Sequence, residues 1–338
     1  MNGDWLLRGR DGRLGAYLPS GGFDLCRAER WPGGPWDGPH RVGGDQRRHT
    51  GPAVGQGADR HAHLVSWRPS LGEEAGLVHC AHHRPRPAAP DWHPVGHPDG
   101  GGGRTGTPAV VVDGTGRAHV LVRNRGGGMS LLAQQEQGGR GSWTDLKGRE
   151  VHPEPAAVTA ESGCVELYAA VPGGLLFRQQ REPGGPLALR EAVEVPVRPG
   201  TLRALATSAA GPTLFYTDEA DDLYARRPGG RPVRLLPAAG PGPVAAVRCT
   251  LDGHDCTPLA QRSSGGRVAF AAHPTQDETA GAWWTESGPV LPADAAVALA
   301  ADEDGRVAAA TASPATGRLR PTRRKHEPGL ALEAWREV

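Results

Sequence analysis

Short apolar segments of similar composition recur through this chain, and their spacing limits the folds open to it. They begin at Pro52, Pro108, Pro155, Arg203, Ala245 and Ala295, roughly 40 to 56 residues apart. A chain longer than about 300 residues is too long for one undivided core, so separate domains or stacked repeats must share the burial. Repeats of about 40 to 50 residues are typical of propeller blades.

Glycine-rich turns divide each repeat into further apolar segments. A second segment follows turns such as Gly116-Arg117, where glycine supplies the positive φ of a hairpin, and a third follows another glycine, as at 175–177. In the sixth repeat we expect the second strand after Gly266. The fourth segment carries Trp36, Trp92, Trp143 or Trp335 in four of the repeats. The pattern predicts an all-β chain: a seven-bladed β-propeller of four-stranded antiparallel blades.

The seven blades are expected to form a single domain. Their approximate limits are 1–48, 49–102, 103–151, 152–199, 200–242, 243–292 and 293–338. The 50 glycines and 32 prolines are accounted for by the many turns of such a fold. Tryptophans of the fourth strands are predicted to pack between neighbouring blades, since a buried indole combines a large apolar surface with one N–H donor. Both terminal repeats contain four strands, so no exchange of strands between the chain ends is expected.

Charge and composition exclude several classes of partner. The 38 basic and 37 acidic residues give a net charge of +1, so no overall field draws the chain to nucleic acid or to an anionic membrane. No apolar stretch approaches the length of a membrane span. Almost all basic residues are arginine and isoleucine is absent, which indicates a bacterial, GC-rich genome. Five cysteines, an odd number in a long chain, indicate no disulfide framework, and we expect a cytoplasmic protein.

The repeat pattern resembles a known family of propellers. It combines Pro-Ala-Val segments, Gly-Arg turns, the pairs Gln134-Gln135 and Gln179-Gln180, and a tryptophan before a glycine-bearing turn. This pattern resembles the tachylectin-like and PLL-type bacterial lectin propellers, most closely over residues 107–200. The resemblance implies the propeller fold and a carbohydrate-binding function, with fucose-type sugars held in repeated pockets between adjacent blades.

Candidate site residues follow from where the loops of a propeller meet. Loops from second to third strands, and those between blades, gather at one mouth of the central channel, where polar groups can converge on a ligand. The second-to-third-strand loops supply Trp67, Arg68, Glu73, Glu74, Arg123, Asn124, Arg125, Asp218, Glu219, Asp221, Asp222, His273, Gln276, Asp277 and Glu278. The entrances to the inner strands add His49, Arg104, His152, Glu154 and Arg203.

Two kinds of chemistry are suggested by these residues. Arg123 and Arg125 share one face if their strand extends that far, and two guanidinium groups can hold a sulfate, phosphate or carboxylate; the alternative is two solvated loop arginines. Acids such as Asp218 with Asp221, or Asp277 beside His273, are candidates for a catalytic base or for divalent-cation ligands; the alternative is that they form turns.

Two clusters are considered and set aside at this stage. His61 and His63, with His79 or Cys80 from the next strand, are of the types that bind zinc or copper, but their spacing fits no zinc template. We therefore predict no metal or other cofactor, with a divalent cation as the alternative. The basic stretch from Arg318 to Lys325 is interpreted as a solvated edge.

Three functions remain open. A multivalent lectin repeats one binding site, whereas the loops of these blades differ, which favours one asymmetric site. The leading hypothesis is a single-site propeller that binds a small polar or anionic metabolite, as an enzyme or accessory subunit of bacterial specialised metabolism. If it is an enzyme, elimination or cyclisation is expected, with the arginines on the anionic leaving group and Asp218, Asp221, His273 or Asp277 as base. The alternatives are a PLL-like lectin and a scaffold that docks a partner subunit.

Overall fold

The chain folds into seven separate β-sheets, seen in a computed structural model that describes residues 2–44, 51–68, 75–82, 91–136, 139, 141–190 and 192–338. The first strands in chain order are β1 (Asn2–Gly3), β2 (Leu6–Arg8), β3 (Leu14–Ser20), β4 (Phe23–Glu29), β5 (Trp36–Arg41), β6 (Ala53–Gln56), β7 (Ala62–Arg68), β8 (Gly76–His82), β9 (His93–Gly96), β10 (Ala109–Val112), β11 (Ala118–Arg123), β12 (Met129–Ala133) and β13 (Thr144–Asp145). They are followed by β14 (Ala156–Thr159), β15 (Val165–Val171), β16 (Gly174–Gln180), β17 (Leu187–Leu189), β18 (Arg203–Ser208), β19 (Gly211–Thr217), β20 (Asp222–Arg226), β21 (Val233–Pro237), β22 (Ala245–Ala246), β23 (Cys249–Leu251), β24 (His254–Arg262), β25 (Val268–Pro274), β26 (Thr285–Ser287), β27 (Ala296–Ala301), β28 (Val307–Ser313) and β29 (Arg318–Arg323). One 3₁₀ turn spans Glu278–Ala280.

The sheets are the blades of a propeller, as predicted. Blade 1 is β2 to β5, blade 2 is β6 to β9 with β1 added, blades 3 to 5 are β10–β13, β14–β17 and β18–β21, blade 6 is β22–β26 and blade 7 is β27–β29. The strands of each blade pair antiparallel, whereas β1 pairs parallel to β6. The first strands of successive blades contact each other from β6 through β10, β14, β18 and β22 to β27, and β27 contacts β2. The ring of inner strands surrounds a central channel.

Tryptophans join several neighbouring blades in the same way. The indole N–H of Trp92 donates to the Val42 carbonyl at 3.0 Å, and that of Trp143 donates to the Val95 carbonyl at 2.9 Å. Trp335 likewise reaches the Ser287 hydroxyl of the preceding blade, at 3.2 Å. The prediction that fourth-strand tryptophans pack between blades is confirmed for these three residues.

Blade 6 departs from the predicted strand assignment. Its first strand is interrupted, and β23 and β24 form a hairpin closed by Asp252 and Gly253, whose φ angles are 51° and 85°. The segment after Gly266 is therefore the third strand of the blade, β25, rather than the second. This prediction was wrong because the Asp-Gly turn, a strong hairpin signal, was not counted. Residues that follow β25 consequently lie at the opposite end of the blade from those that follow a second strand.

The two chain ends meet without exchanging strands. Blade 7 has three regular strands, and the C-terminal segment lies along β29, where Glu333 N–H donates to the Arg323 carbonyl and Val338 N–H to the Leu319 carbonyl. Blades 7 and 1 are held by side chains: Arg323 pairs with the buried Glu29. A shared apolar cluster includes Leu6, Leu14 and Leu18 of blade 1 and Ala308, Ala310 and Leu319 of blade 7. Among the described residues, no helix is long and apolar enough to cross a bilayer.

Candidate functional site

A cavity of about 280 Å³ occupies one mouth of the central channel. Its wall is built where inner strands begin, and small apolar residues form most of it, including Ala109, Ala156, Ala204, Ala245 and Ala296. Small side chains at these positions leave room around the channel axis. The mouth is the end at which second strands turn into third strands and one blade connects to the next.

Charged groups from distant parts of the chain meet in this cavity. Asp4 lies just after β1, and its carboxylate forms an ion pair with Arg203 at the start of β18. The side chain of Arg203 is only 15% exposed, whereas that of Asp4 is 50% exposed. Arg262 and Asp294 line the same wall. The site therefore presents two guanidinium groups, two carboxylates and the Gln261 side chain in a wall made mostly of small apolar residues.

Each of the two arginines has a side-chain N–H donor for which the described residues provide no acceptor. The Nε atoms of Arg203 and Arg262 are buried and have no hydrogen-bond partner among the described residues. Because these Nε atoms have almost no accessible surface, any contact with a ligand must come from the terminal nitrogens of the two guanidinium groups. The terminal nitrogens of Arg203 and Arg262 are partly engaged, by Asp4 and by the Leu291 carbonyl at 3.2 Å respectively.

Asp294 and Gln261 have structural partners. Asp294 accepts from the Ala315 N–H and the Ser313 hydroxyl, both at 2.9 Å. The Ala315 N–H, the Ser313 hydroxyl and the charge of Arg262 lower the pKa of Asp294 although partial burial opposes them, so the carboxylate is ionised at neutral pH. The side-chain amide of Gln261 is bonded to the backbone of Ala239 and Gly240. These two residues shape the mouth, and Arg203 and Arg262 supply its cationic groups.

The predicted arginine clamp does not form as expected. Strand β11 ends at Arg123, so Arg123 and Arg125 do not share a strand face. Asn124 is buried in the following turn, where its side-chain oxygen accepts from the Gly128 N–H at 2.9 Å and its amide donates to Asp145 at 3.1 Å. Arg125 is exposed. Asn124 is therefore a turn-stabilising residue, and none of the three lines the channel cavity.

The acids of blade 5 form a turn and ion pairs. Asp218 accepts from the N–H groups of Ala220 and Asp222, both at 2.9 Å, and so closes the β19–β20 hairpin. Asp221 pairs with Arg198, and Asp222 pairs with Arg234 at 2.6 Å. Each of these pairs lowers the pKa of its carboxyl group. These acids match the turn-forming alternative of the sequence analysis, and Glu219 lies exposed in the same turn.

The residues expected at the mouth from blade 6 lie at the other end of the propeller. His273 is near the end of β25, so the chain continues from it toward the fourth strand. Its Nδ1–H donates to the Pro274 carbonyl at 2.9 Å, and burial lowers its pKa. Asp277 accepts from the N–H and hydroxyl of Thr279, at 3.0 and 2.6 Å. Because Asp218 follows a second strand and His273 closes a third, the structure does not bring these two groups together.

Gln276 and Glu278 at that far end are used to join blades. Arg227 of blade 5 pairs with Glu278 at 2.6 Å, and its guanidinium also donates to the Gln276 side chain at 2.6 Å. Gln276 donates in turn to the Thr207 carbonyl at 3.3 Å. This network fastens blade 6 to blade 5.

The remaining predicted residues are distributed as follows. Trp67 is fully buried and donates to the Gly106 carbonyl at 2.7 Å, so it packs between blades 2 and 3 and offers no face to a ligand. Arg68 is exposed at the end of β7. His152 lies half-buried in the connection before blade 4, and its Nδ1 accepts from the Glu154 N–H at 3.4 Å. Arg104 and Glu154 are exposed on inter-blade connections. His49, Glu73 and Glu74 lie outside the described residues.

The histidine cluster of blade 2 contains a contact between two rings. His63 Nδ1 and His79 Nε2 are 3.0 Å apart and the rings stack at 5.2 Å, while His61 pairs with Asp59 at 2.8 Å. Cys80 is buried toward blade 1 instead. Over the described ranges, no group of three or more His, Cys, Asp or Glu residues could hold a metal ion.

Every basic residue of the C-terminal stretch from Arg318 to Lys325 forms an ion pair. Arg318 and Arg320 pair with Glu337, Arg323 pairs with Glu29 and Asp302, Arg324 pairs with Asp252, and Lys325 pairs with Glu327. These pairs neutralise the stretch and connect blade 7 to blades 1 and 6.

Two further pockets lie between the outer parts of adjacent blades. One of about 690 Å³, between blades 7 and 1, is lined by Trp31, Arg27 and Glu337 among others, and Trp31 is 58% exposed. The other, of about 550 Å³ between blades 6 and 7, is lined by Leu251, Phe270 and Trp283, and Trp283 is 77% exposed. Each of these pockets therefore has one exposed tryptophan in its lining.

The sequence analysis placed Arg203 at the mouth but did not identify Asp4, Arg262 and Asp294, which also line the cavity. Asp4 lies between β1 and β2, and Arg262 ends β24, a segment to which the sequence analysis assigned no strand. The Pro-Ala-Asp sequence before the last inner strand marks an inter-blade connection, a signal that would have placed Asp294 at the mouth.

The fold and the mouth together define a propeller with a ligand-sized cavity on its axis. No family model matches the chain, and no curated protein matches it by sequence. Solved structures do match. A lectin of Burkholderia pseudomallei has 13% sequence identity and a TM-score of 0.70, and the match covers 100% of this chain and 99% of the lectin.

Other matches carry different activities on the same architecture. The fucose-specific lectin of Aleuria aurantia is 11% identical, with a TM-score of 0.51 over 86% of this chain and 97% of that one. An ulvan lyase, a polysaccharide lyase, is 12% identical, with a TM-score of 0.57 over 99% of this chain and 93% of that one. At these identities the matches establish the propeller fold alone.

Proposed function

We propose that this protein binds one small acidic saccharide, or a similarly hydroxylated anion, at the mouth of its central channel. The observation that carries the proposal is the placement of two cationic side chains, those of Arg203 and Arg262, in the wall of one cavity. Guanidinium groups bind carboxylate and sulfate through charge-assisted, directional hydrogen bonds.

The composition of the wall supports a ligand rather than an ion alone. Small-molecule sites are mostly apolar with a few convergent polar groups, and the alanine-rich wall with its two arginines has this character. The polar groups come from blades 1, 5, 6 and 7 and are not repeated from blade to blade. One site per chain is therefore expected, in contrast to a multivalent lectin.

The similar structures are consistent with a saccharide as the ligand class. They include sugar-binding lectins and an ulvan lyase whose structure has been solved with a glucuronate-containing, sulfated disaccharide unit. An acidic sugar is a ligand that accounts both for the two arginines in the cavity and for the saccharides bound by the similar proteins. An elimination or cyclisation reaction with Asp218, Asp221, His273 or Asp277 as base stays a prediction, as do a place in specialised metabolism and a partner subunit.

Calorimetric titration with sodium glucuronate and with glucose tests the proposal. We expect glucuronate to bind at one site per chain, more weakly as salt is raised, and glucose to bind far less. Equal binding of both sugars, or several equivalent sites per chain, would contradict it. The paired variant Arg203→Ala/Arg262→Ala must abolish the glucuronate signal, while Arg125→Ala, an exposed arginine outside the cavity, serves as the matched control.

A second candidate is a lectin that binds neutral sugar between blades 7 and 1. Trp31 is exposed there, its indole packs against Gly34, and Arg27 and Glu337 face the same 690 Å³ pocket. An aromatic face with adjacent charged hydrogen-bonding groups suits the apolar face and hydroxyls of a sugar. Titration with methyl fucoside distinguishes the candidates: binding that Trp31→Ala abolishes and Arg203→Ala leaves intact would favour the lectin.

A further inference from the structure

Two cysteines face each other in the additional hairpin of blade 6. Cys249 on β23 and Cys256 on β24 are directly opposed partners in the antiparallel ladder. Opposed residues in such a ladder have Cα atoms about 4.5 to 5.5 Å apart and side chains on the same face. A disulfide requires Cα atoms about 4.4 to 6.8 Å apart. The backbone of this hairpin therefore already satisfies the distance that a cross-strand disulfide needs.

The two thiols are free and half-buried, in contrast to the other cysteines. Cys26, Cys80 and Cys164 are buried, and in the strand ladders of the described residues none of them is opposite another cysteine. The turn that joins the two strands, Asp252-Gly253, holds their register through two residues of positive φ. The pair is thus both positioned for a crosslink and within reach of a small reagent.

A crosslink in this hairpin would also affect the contact between blades 6 and 7. Its tip residue Asp252 pairs with Arg324 and accepts from the Gly329 N–H at 2.8 Å, so the tip is docked on the C-terminal part of blade 7. Leu251 and Asp252 form part of the wall of the 550 Å³ pocket between blades 6 and 7. Joining the two strands covalently would hold this wall and the contact between the blades in one arrangement.

We propose that Cys249 and Cys256 are a redox-active pair that forms a reversible cross-strand disulfide with oxidised glutathione or a similar small disulfide as oxidant. One cysteine thiolate attacks a sulfur of oxidised glutathione, and the first glutathione thiolate leaves. The second cysteine then attacks the resulting mixed disulfide, forms the intramolecular S–S bond and releases the second glutathione. Two cysteine thiols are oxidised, one disulfide is reduced to two thiols, and the two protons pass to the released glutathiones.

The rate of this exchange depends on pH in a defined direction. Burial, Cys256 and Asp255 raise the pKa of Cys249 to about 12 although Arg324 opposes them, and burial, Asp255 and Asp252 raise the pKa of Cys256. Only the thiolate attacks, so the reaction is slow at neutral pH and accelerates about tenfold per pH unit while the pH stays below the pKa of the attacking thiol.

Mass spectrometry of the intact, folded chain tests the proposal. The protein is equilibrated with oxidised glutathione at mildly alkaline pH, alkylated and digested with trypsin. We expect the peptide from Cys249 to Arg262 to be unalkylated and lighter by two hydrogen atoms, and to regain both alkylations after dithiothreitol. Alkylation of both thiols, or glutathione adducts that persist on single cysteines, would overturn it.

Single variants give a second, independent measurement. In Cys249→Ser, Cys256 has no partner, so we expect a stable glutathione adduct at Cys256 where the wild-type chain has none. Cys164→Ser, which removes a cysteine from another blade, is the control and must leave the Cys249–Cys256 crosslink in place. Amide exchange at residues 251–254 should slow several-fold on oxidation of the wild-type chain, and unchanged exchange would contradict the expected fixing of the hairpin.

Discussion

Asp4 and Arg203 form an ion pair at the mouth of the central channel although 199 residues separate them in the chain. Asp4 follows the short strand that lies along blade 2, and Arg203 opens the inner strand of blade 5. The pair places a carboxylate of the protein on the arginine that we propose binds an anionic ligand. An incoming carboxylate or sulfate must therefore compete with Asp4 for Arg203.

Arg203→Ala should weaken the binding of glucuronate by roughly ten- to a hundredfold, because a hydrogen bond to a charged group contributes about 1.5 to 3 kcal/mol. Calorimetric titration measures the change in Kd. Arg198→Ala is the matched control, since Arg198 lies on the connection that leads into blade 5, pairs with Asp221 and does not line the cavity. Equal loss in both variants would point to general electrostatics and count against a specific site.

Asp4→Asn should have the opposite effect and tighten glucuronate binding several-fold. The variant removes the internal carboxylate that competes for Arg203, while the amide keeps nearly the same size. The same titration provides the measurement. Unchanged or weaker binding in Asp4→Asn would show that Arg203 does not receive the ligand's anionic group.

Trp143→Phe should lower the free energy of unfolding by about 1 kcal/mol, because the indole N–H that reaches the Val95 carbonyl is lost from the interface of blades 2 and 3. Denaturant titration gives the value. Trp283→Phe is the matched control: Trp283 is 77% exposed, so its replacement should leave stability unchanged. A similar loss in both variants would rule out the inter-blade hydrogen bond as the cause.

Asp113→Asn should destabilise the protein by about 1 to 3 kcal/mol at neutral pH. Asp113 is buried and accepts from Thr115 and His119 of blade 3 and, at 3.0 Å, from the Gly184 N–H of blade 4, and one of these acceptor atoms becomes a donor in the variant. Denaturant titration across a pH series measures the effect, with the exposed Asp304→Asn as control.

The effect of Asp113→Asn should also depend on pH. Burial raises the pKa of Asp113, but the bonds from Thr115 and His119 outweigh it and hold the pKa far below its usual range. A lowered folded-state pKa stabilises the fold above the unfolded value of about 3.9, and this stabilisation is lost as the pH falls further. The difference between wild type and variant should shrink as the pH falls below about 4. A difference that stayed constant to low pH would contradict this account.

The fold could be predicted because its signals are local. Each blade repeats a strand, a glycine turn and another strand within about 50 residues, and the tryptophans that join blades recur at the same place in the repeat. Blade 6 shows the limit of such patterns. Because one Asp-Gly hairpin was not counted, its third strand was predicted to be its second, and His273 and Asp277 were predicted at the wrong end of the propeller.

The polar residues were harder to assign than the strands. Asp218, Asn124 and Asp277 have the residue types of a site, but their side chains bond to nearby backbone N–H groups and form turns. A sequence does not distinguish an acid that closes a turn from one that faces a ligand, because both occur in the same loops.

Local sequence patterns determine the period of the strands, the number of blades and the tryptophan contacts. The reason is that hydrogen bonding within a hairpin and alternation along a strand act over short distances. The ion pair of Asp4 with Arg203 and the position of Arg262 beside Asp294 at the mouth depend on the closed ring, since the residues of each pair lie on different blades. Contacts of this kind depend on the packing of whole blades, which no local pattern encodes.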